Sequence, residues 1–212
     1  MAGYLITFEG GEGAGKSTQS KRLYEAFKRD GRKVLLTREP GGTKGAEAIR
    51  ELLLFGGYSF SLRSEIMAHF TARCDHVDQI IRPALSQDYI VICDRYIDST
   101  LAYQGYGLGK GDQDLIQYIK QLSHLIALQP DLTLVFEAPY DVMRERCHAR
   151  QGRVDRYEQL DENFHYRVLN GFKQIMIDHP NRCVRVDAYR DVEIIHQDVY
   201  DIVSRQLFES KQ

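Results

Sequence analysis

A glycine-rich turn that ends in lysine and serine stands near the start of this 212-residue chain. From Gly10 to Ser17 it reads G-G-E-G-A-G-K-S, which matches the phosphate-binding pattern G-x-x-x-x-G-K-[ST]. It follows the apolar run Tyr4–Phe8 and precedes the amphipathic segment Lys16–Arg29, the strand and helix that the pattern requires. A chance match on a glycine-rich turn is the alternative, and these flanking segments argue against it. The turn therefore predicts a P-loop, in which backbone N–H groups at a helix N-terminus bind phosphates.

The predicted ATP and magnesium contacts begin in this loop. Lys16 is assigned to the β- and γ-phosphates and the Ser17 hydroxyl to Mg²⁺, which prefers hard oxygen ligands. Asp94 ends the apolar run Tyr89–Cys93 and is the second predicted magnesium ligand, although an aspartate at that place also caps turns. The full predicted ATP-binding set is Gly10, Gly11, Glu12, Gly13, Ala14, Gly15, Lys16, Ser17 and Thr18.

Short apolar runs alternate with longer amphipathic segments along the whole chain. The predicted strands are Tyr4–Phe8, Val34–Thr37, Tyr89–Cys93, Leu132–Phe136 and Val184–Val186. The predicted helices are Lys16–Arg29, Ser64–Ile81 and, approximately, Asp112–Leu128, Asp141–Arg150, Asp161–Asp178 and Val192–Phe208. Gly105–Gly111 and Gln151–Arg156 are rich in loop formers. This alternation predicts an α/β three-layer sandwich with a five-stranded parallel sheet and helices on both faces. We expect a single domain over residues 1–212 with a small lid at about 144–157.

Composition excludes several classes of protein. The 28 Lys and Arg residues nearly balance 30 Asp and Glu residues, so the broad basic field of a nucleic-acid-binding protein is not predicted. No apolar stretch approaches the length of a membrane span. The cysteines lie far apart and predict neither a zinc site nor a disulfide framework; they are Cys74, Cys93, Cys147 and Cys183. A cytoplasmic protein without membrane or nucleic-acid partners is expected.

Other residues favour a small-molecule kinase over a nucleotide switch. The guanine-reading pattern Asn-Lys-x-Asp is absent, and Asp94 is followed by Arg95-Tyr rather than by the x-x-Gly of a γ-phosphate sensor. Arg38 and Arg95 follow predicted strands, at the edge of the sheet where ligands bind. A surface arginine paired with a carboxylate is the alternative for Arg95. Further arginines surround the predicted lid: Arg144, Arg146, Arg150, Arg153 and Arg156. Planar guanidinium groups suit phosphate oxygens.

Nearly the whole chain resembles the bacterial thymidylate kinases. The matching stretches are Phe8–Thr18 (FEGGEGAGKST), Thr37–Thr43 (TREPGGT), Phe70–Arg73 (FTAR), Asp94–Tyr96 (DRY), Ser99–Gly105 (STLAYQG), Pro130–Leu134 (PDLTL) and Asp155–Glu158 (DRYE). The resemblance implies an ATP:dTMP phosphotransferase of dTTP biosynthesis that uses ATP and Mg²⁺. It also implies a homodimer, with a helix such as Ser64–Ile81 at the interface.

The resemblance also assigns roles at the acceptor site. Phe70 would stack on thymine, and Arg73 would hydrogen-bond its carbonyl edge. Further implied contacts are Ser99 or Thr100 with Gln104 for base and sugar, Tyr103 against the ribose 2′ position, Glu9 near the sugar and magnesium-bound water, and Arg38 with Arg95 on the acceptor phosphate. From the residues alone, Phe70 is predicted to be a core residue because it lies on the apolar stripe of its helix. Tyr103 and Tyr106 are equally well interpreted as packing residues.

One departure from the family affects the mechanism. Some relatives carry an arginine inside the P-loop, where this chain has Gly13. The cation that joins donor and acceptor phosphates is therefore expected from the lid, with Arg150 and Arg153 as the choices and Arg146 or Arg156 as possible partners. The predicted catalytic set is Lys16, Arg95, Arg150 and Arg153. Glu12, as an individual side chain, and Glu137 are given no role.

Three other readings of the chain remain open at this stage. The nearest is a kinase for another monophosphate, such as dUMP or a purine nucleotide. The second is a nucleotide-dependent switch or binding module, and the third is a P-loop ATPase that acts on nucleic acid. The Phe70 and Arg73 pair favours a pyrimidine, and the missing switch motifs and near-neutral charge argue against the last two.

Overall fold

The computed structural model describes residues 3–150 and 153–208. Its sheet contains β1 (Tyr4–Gly10), β2 (Val34–Arg38), β3 (Ile90–Asp94), β4 (Leu132–Glu137) and β5 (Cys183–Asp187). The strands lie in the order β2-β3-β1-β4-β5, and every neighbouring pair is parallel. All five predicted strands and the parallel sheet are confirmed.

Helices connect the strands. They are α1 (Lys16–Arg29), α2 (Lys44–Phe55), α3 (Leu62–His76), α4 (Arg82–Ser86), α5 (Ile97–Thr100), α6 (Gln113–Ile126), α7 (Tyr140–Ala149), α8 (Glu162–Asp178) and α9 (Val192–Phe208). π-Helical segments join α3 to α4 at Val77–Ile81 and extend α5 at Leu101–Leu108. In the described ranges, no helix is both long and apolar enough to cross a membrane.

The core lies on both faces of the sheet. Alternate residues of β1 supply its two sides: Leu5 packs with one cluster, and Ile6 with the other. The first cluster includes Phe172 and Ile175 of α8, and the second includes Leu23 of α1. Because successive side chains of a strand point to opposite faces, the central strand is covered on both sides. The predicted arrangement of helices on both faces is confirmed.

Helix α2 was not predicted. The segment begins after paired glycines and carries Gly45 in its first turn, which weakens the helical signal. In the structure the Thr43 hydroxyl accepts a hydrogen bond from the Ala46 amide (3.0 Å), which caps the helix. Ala46, Leu53 and Leu54 are buried. Capping and burial therefore outweigh local propensity here.

The boundary of α3 and the glycine-rich segment also differ from prediction. The helix predicted at Ser64–Ile81 begins two residues earlier and continues through a π-helical turn into α4. Of the predicted loop Gly105–Gly111, the residues up to Leu108 are π-helical. Glycine is needed there for packing rather than for a turn, because a Cβ at Gly107 would lie 2.6 Å from Cε2 of Phe164.

Candidate active site

A cleft of about 1020 Å³ opens at the carboxyl ends of β1, β2 and β3. Its wall combines the P-loop with residues from α2, α3, the Leu101–Leu108 segment and the lid. Ligands of open parallel sheets bind at this edge, because strand ends and helix N-termini meet there. The cleft brings together most of the residues predicted for ATP and for the acceptor.

The P-loop leads directly into α1. Gly15 has a left-handed backbone (φ 89°) and offers no side chain to cap the helix, so the first N–H groups of α1 remain available to a phosphate. Lys16 is buried, and its ammonium group donates to the Gly11 carbonyl (2.6 Å). Burial and the nearby Arg95 guanidinium lower the pKa of Lys16 to about 8. A bound phosphate would favour the charged form of this lysine.

The two predicted magnesium ligands lie in contact. The Ser17 hydroxyl donates a hydrogen bond to a carboxylate oxygen of Asp94. Among the described residues, no group of three or more His, Cys, Asp or Glu side chains could hold a metal. A hydroxyl and a carboxylate beside a phosphate site fit Mg²⁺, because that ion takes few protein oxygens and keeps water and phosphate for its other positions.

Arg95 lies at the centre of the cleft in a left-handed conformation (φ 67°). Its guanidinium donates to the Gly10 carbonyl (3.0 Å), to Ser99 Oγ (3.1 Å) and to Tyr103 OH (3.0 Å). It also pairs with Glu12 at 2.5 Å. Burial opposes the charged form, but Glu12 and other neighbouring groups raise the pKa of Arg95 above its ordinary value. The guanidinium is therefore fixed in position and permanently charged.

The sequence analysis places Glu12 in the predicted ATP-binding set but gives its side chain no role of its own. The side chain is only 15% exposed, and it accepts hydrogen bonds from Arg95 and from Tyr103 OH (2.9 Å). Burial raises its pKa, but the charges of Arg95 and Lys16 prevail and lower the pKa of Glu12 to about 2. Glu12 thus links the P-loop to the acceptor side of the cleft.

Glu9 is buried beneath this group of side chains. One carboxylate oxygen accepts from the Tyr96 amide (2.8 Å), and the other accepts from Ser99 Oγ (2.5 Å). Burial and the nearby Asp98 carboxylate raise the pKa of Glu9 to about 7. Asp98 is itself held by Arg182 through bonds of 2.6 and 2.8 Å. Glu9 therefore fixes the turn that carries Ser99.

The far end of the cleft carries the predicted base-reading arginine. Arg73 is 3% exposed and donates to Glu39 Oε2 (2.7 Å) and Thr100 Oγ1 (3.0 Å). Its Nη1 atom has no hydrogen-bond partner in the part of the chain that the structure describes. A buried donor without a partner is costly, and Arg73 is one of the residues that line the cleft.

Phe70 lies beside Arg73 but is almost fully buried. Its ring centre is 4.9 Å from the Arg73 guanidinium carbon, and only 3% of the residue is exposed. Phe70 is not among the described residues that line the cleft, and it belongs to the apolar core cluster. In this structure its position agrees better with packing than with the predicted stacking surface.

Two arginines lie where an acceptor phosphate would enter. Arg38 lines the cleft with a half-exposed side chain and pairs with Glu47 (3.1 Å). Arg50 also lines the cleft and donates to the Pro40 carbonyl (2.9 Å). Burial and the charge of Arg38 lower the pKa of Arg50. Sequence reasoning missed Arg50, because it lies in the helix α2 that was not predicted.

The lid arginines take different positions. Arg146, Arg150 and Arg153 line the cleft, whereas Arg144 and Arg156 are not among its lining residues in the described ranges. Arg150 pairs with Glu158, and its charge helps to lower the pKa of Glu12. Residues 151 and 152 of the predicted lid lie outside the described residues.

Arg153 lines the cleft and makes its contacts with α2. It pairs with Glu51 (2.8 Å), and its guanidinium carbon is 3.9 Å from the ring centre of Phe55. Both contacts are on α2. Arg150 is therefore the lid arginine that interacts with the P-loop carboxylate.

Packing explains why position 13 is glycine. Gly13 has φ +73°, and a Cβ there would overlap the Met143 carbonyl oxygen and lie 3.0 Å from Cys147 Sγ. Both contacts come from α7, which packs onto the P-loop. An arginine at this position, as some relatives have, would push α7 away.

We expect Gly13→Ala to lower the free energy of unfolding by about 2–4 kcal/mol, because strain at positive φ adds to overpacking. Gly31→Ala is the matched control: Gly31 also has φ +73°, but apart from its two chain neighbours no atom of the described residues lies within 4 Å of its added Cβ. The control should lose only about 1 kcal/mol, the cost of the left-handed backbone. Urea unfolding of both variants measures the difference, and equal losses would contradict the proposed steric conflict with α7.

Comparisons with known proteins all point to one family. A family model described as thymidylate kinase matches residues 8–199. A thymidylate kinase of Gluconobacter oxydans (strain 621H) is 51% identical over 205 residues, which cover 97% of this chain and 96% of that protein. A thymidylate kinase of Caulobacter vibrioides is 42% identical over 207 residues, with 97% and 98% covered. The crystal structure of thymidylate kinase from Ehrlichia chaffeensis aligns with a TM-score of 0.78 at 36% identity and covers 96% of this chain and 99% of that chain.

Proposed function

Because the chain belongs to the thymidylate kinase family, we propose that the cleft residues described above carry out its reaction. The protein phosphorylates dTMP to dTDP with ATP and Mg²⁺, in dTTP biosynthesis. The observation that best supports our assignment of residues is the arrangement of a single cleft. The P-loop lines this cleft together with Arg73, which is buried and whose Nη1 atom has no hydrogen-bond partner among the described residues. Arg95 is hydrogen-bonded both to the P-loop and to the acceptor side.

The donor side binds and orients ATP. The P-loop N–H groups and the Lys16 ammonium hold the β- and γ-phosphates. Ser17 and Asp94 would hold Mg²⁺, which would supply positive charge to the phosphate groups. No general base is needed, because a monophosphate already presents an anionic oxygen. The protein contributes alignment and charge, which are the main requirements of phosphoryl transfer.

The acceptor side fixes dTMP in line with the γ-phosphate. Arg95 and Arg38 bind its phosphate, with Arg50 as an added cation at the same wall. Arg73 and Gln104 read the thymine edge, with Thr100 bonded to Arg73 (3.0 Å). The remaining assignments are Ser99 and Glu9 near the sugar and Tyr103 at the ribose 2′ position. Phe70 is assigned to a position behind the base, where it packs against the Arg73 guanidinium (4.9 Å).

An assay of acceptors tests this assignment. Coupled ADP release is measured with ATP and Mg²⁺ for dTMP, dUMP, the ribose form of TMP, dCMP, AMP and GMP. We expect dTMP to be preferred, and dCMP to be poor because its 4-amino group faces the unpartnered Arg73 donor. Failure of every acceptor to stimulate ADP release, although ATP binds, would contradict the proposed function.

Helix α3 supports the proposal of a homodimer. Its buried residues include Glu65, His69 and Arg73, which face the cleft side of the fold. Its exposed residues include Met67, which is 45% exposed, and Cys74. Because the outer face also carries exposed polar residues such as Arg63, we assign the contact with a second copy to the part of this face around Met67.

We expect Met67→Arg to convert the dimer largely to monomer, because a buried unpaired charge is costly at an interface. Ile177→Arg is the matched control, since Ile177 is 70% exposed on α8. Sedimentation of the three proteins measures the effect. A wild-type monomer, or a dimer that Met67→Arg does not weaken, would contradict this interface.

The domain and compartment assignments are part of the same proposal. We assign residues 1–212 to one domain with a lid at about 144–157; residues 1–2, 151–152 and 209–212 lie outside the described residues. The cytoplasm suits the chain, because Cys74, Cys93, Cys147 and Cys183 are all free thiols.

A further inference from the structure

A buried polar cluster lies behind the base end of the cleft. Its central residue is Glu65 of α3, which is 1% exposed. Its Oε1 atom accepts hydrogen bonds from Gln104 Nε2 (3.0 Å) and Tyr157 OH (2.8 Å), and its Oε2 atom pairs with Arg156 (2.9 Å). Together with His69 these residues form the Glu65 cluster. A buried carboxylate is tolerated only with such partners.

The members of the Glu65 cluster come from three parts of the chain. Glu65 and His69 are one turn apart on α3, and Gln104 lies in the Leu101–Leu108 segment. Arg156 and Tyr157 lie at the end of the lid. The Tyr157 hydroxyl meets Gln104 Nε2 (2.9 Å) and His69 Nε2 (3.1 Å). Burial and the Arg73 charge lower the pKa of His69 to about 3, so this histidine is neutral. The cluster joins the end of the lid to the base-reading segment.

The cluster determines which way the Gln104 amide points. The Gln104 Nε2 group donates to both Glu65 and Tyr157, which uses its two N–H bonds. A flipped amide would place its oxygen against the Glu65 carboxylate, an acceptor against an acceptor. Among the described residues, none donates to Gln104 Oε1, and Gln104 lines the cleft. The free carbonyl oxygen is therefore presented as an acceptor.

An acceptor and a donor next to each other distinguish pyrimidines. Thymine and uracil offer an N3–H donor beside a 4-carbonyl acceptor, and cytosine offers the reverse. Gln104 and Arg73 both line the cleft, and they supply the acceptor and the donor of the first pattern: the Gln104 carbonyl oxygen and Arg73 Nη1, which has no hydrogen-bond partner among the described residues. A flipped Gln104 amide would instead donate to the N3 atom of cytosine. Discrimination between these bases thus depends on which way the amide is held.

We propose that Glu65 is a positioning residue, which holds the Gln104 carbonyl toward the base and links that orientation, through Tyr157 and Arg156, to the seating of the lid. This role rests on the proposed function. It makes Glu65 a determinant of base selectivity although it does not touch the substrate. Selectivity against a 4-amino pyrimidine is then sensitive to a change outside the cleft wall.

Glu65→Gln tests the proposal, because it keeps the shape of the side chain but can donate as well as accept. The substrates are dTMP and 5-methyl-dCMP, which differ only at the N3 and C4 positions of the base. We expect the ratio of their kcat/KM values to fall by about tenfold or more, since the Gln104 amide is then free to turn. The KM for ATP should remain as in the wild type.

Tyr157→Phe is the second variant and decides the question if Glu65→Gln does not fold. It removes the hydroxyl that bridges Glu65, His69 and Gln104, but it keeps the ring that packs 5.6 Å from Tyr103. The ratio of kcat/KM values for dTMP and 5-methyl-dCMP should fall in this variant as well. Glu51→Gln is the control: it removes the lid ion pair with Arg153 without touching the Glu65 cluster, so it should keep the wild-type ratio.

The outcomes separate this proposal from the proposed function. The positioning role is overturned if the wild type phosphorylates dTMP and folded Glu65→Gln keeps the wild-type ratio of kcat/KM values for dTMP and 5-methyl-dCMP. If Glu65→Gln does not fold, an unchanged ratio in Tyr157→Phe overturns it. An equal fall of this ratio in Glu51→Gln would also overturn the positioning role, since loosening the lid would then be enough to lower base selectivity. If the wild type phosphorylates no monophosphate, the proposed function itself fails.

Discussion

Arg95→Ala is expected to lower kcat on the order of 10³-fold while ATP still binds. The guanidinium is fixed by Gly10, Ser99 and Tyr103 and pairs with Glu12. A group held by so many contacts loses little freedom when it binds a phosphate, so it contributes directly to alignment. The measurement is kcat with dTMP, together with ATP affinity by calorimetry.

Two further variants show whether that loss comes from phosphate binding. Arg95→Ala leaves Glu12 buried without its partner, which destabilises the loop by itself. The double variant Arg95→Ala/Glu12→Gln removes both charges, and it should remain as slow as Arg95→Ala if the loss lies in phosphate binding. Arg205→Ala, an exposed arginine of α9, should keep wild-type turnover. Full turnover in Arg95→Ala would remove Arg95 from the site.

Arg150→Ala is the second large loss that we predict, also on the order of 10³-fold in kcat, by analogy with arginine fingers. The reason is that α7 occupies the space an arginine at position 13 would need, so the P-loop has no such cation. Among the candidates, Arg150 is the lid arginine whose charge affects Glu12.

Arg153→Ala is the comparison for that prediction. Arg153 is held by Glu51 and Phe55 on α2, so we expect a smaller loss of turnover from this variant. Steady-state kcat values of both variants show which loss is larger. A larger loss of kcat in Arg153→Ala would show that the two arginines exchange roles when the lid closes. Wild-type kcat in both variants would contradict a catalytic cation from the lid.

Parts of this structure were predictable because their signals are local. The P-loop is a continuous motif between a strand and a helix, and the structure has β1 before it and α1 after it, as that motif requires. The five strands were found because a buried parallel strand is a short apolar run. Each of these signals lies within about ten residues of sequence, which is the range of propensity and periodicity.

The rest depends on contacts between distant segments. The pairing of Glu12 with Arg95 joins positions 83 residues apart, and that of Glu65 with Tyr157 joins positions 92 residues apart. Neither carboxylate is marked by its own neighbourhood in the sequence. Arg50 was missed for a related reason, since α2 is stabilised by its cap and by burial rather than by propensity.

Transfer of labelled phosphate tests the central claim most directly. The enzyme is incubated with ATP labelled at the γ-phosphate, Mg²⁺ and dTMP, and the label is followed in dTDP and in free phosphate. If the cleft aligns two nucleotides and excludes water, nearly all of the released label should appear in dTDP, and little should be released without dTMP. Label that appears mainly as free phosphate, whether or not dTMP is present, would contradict the account.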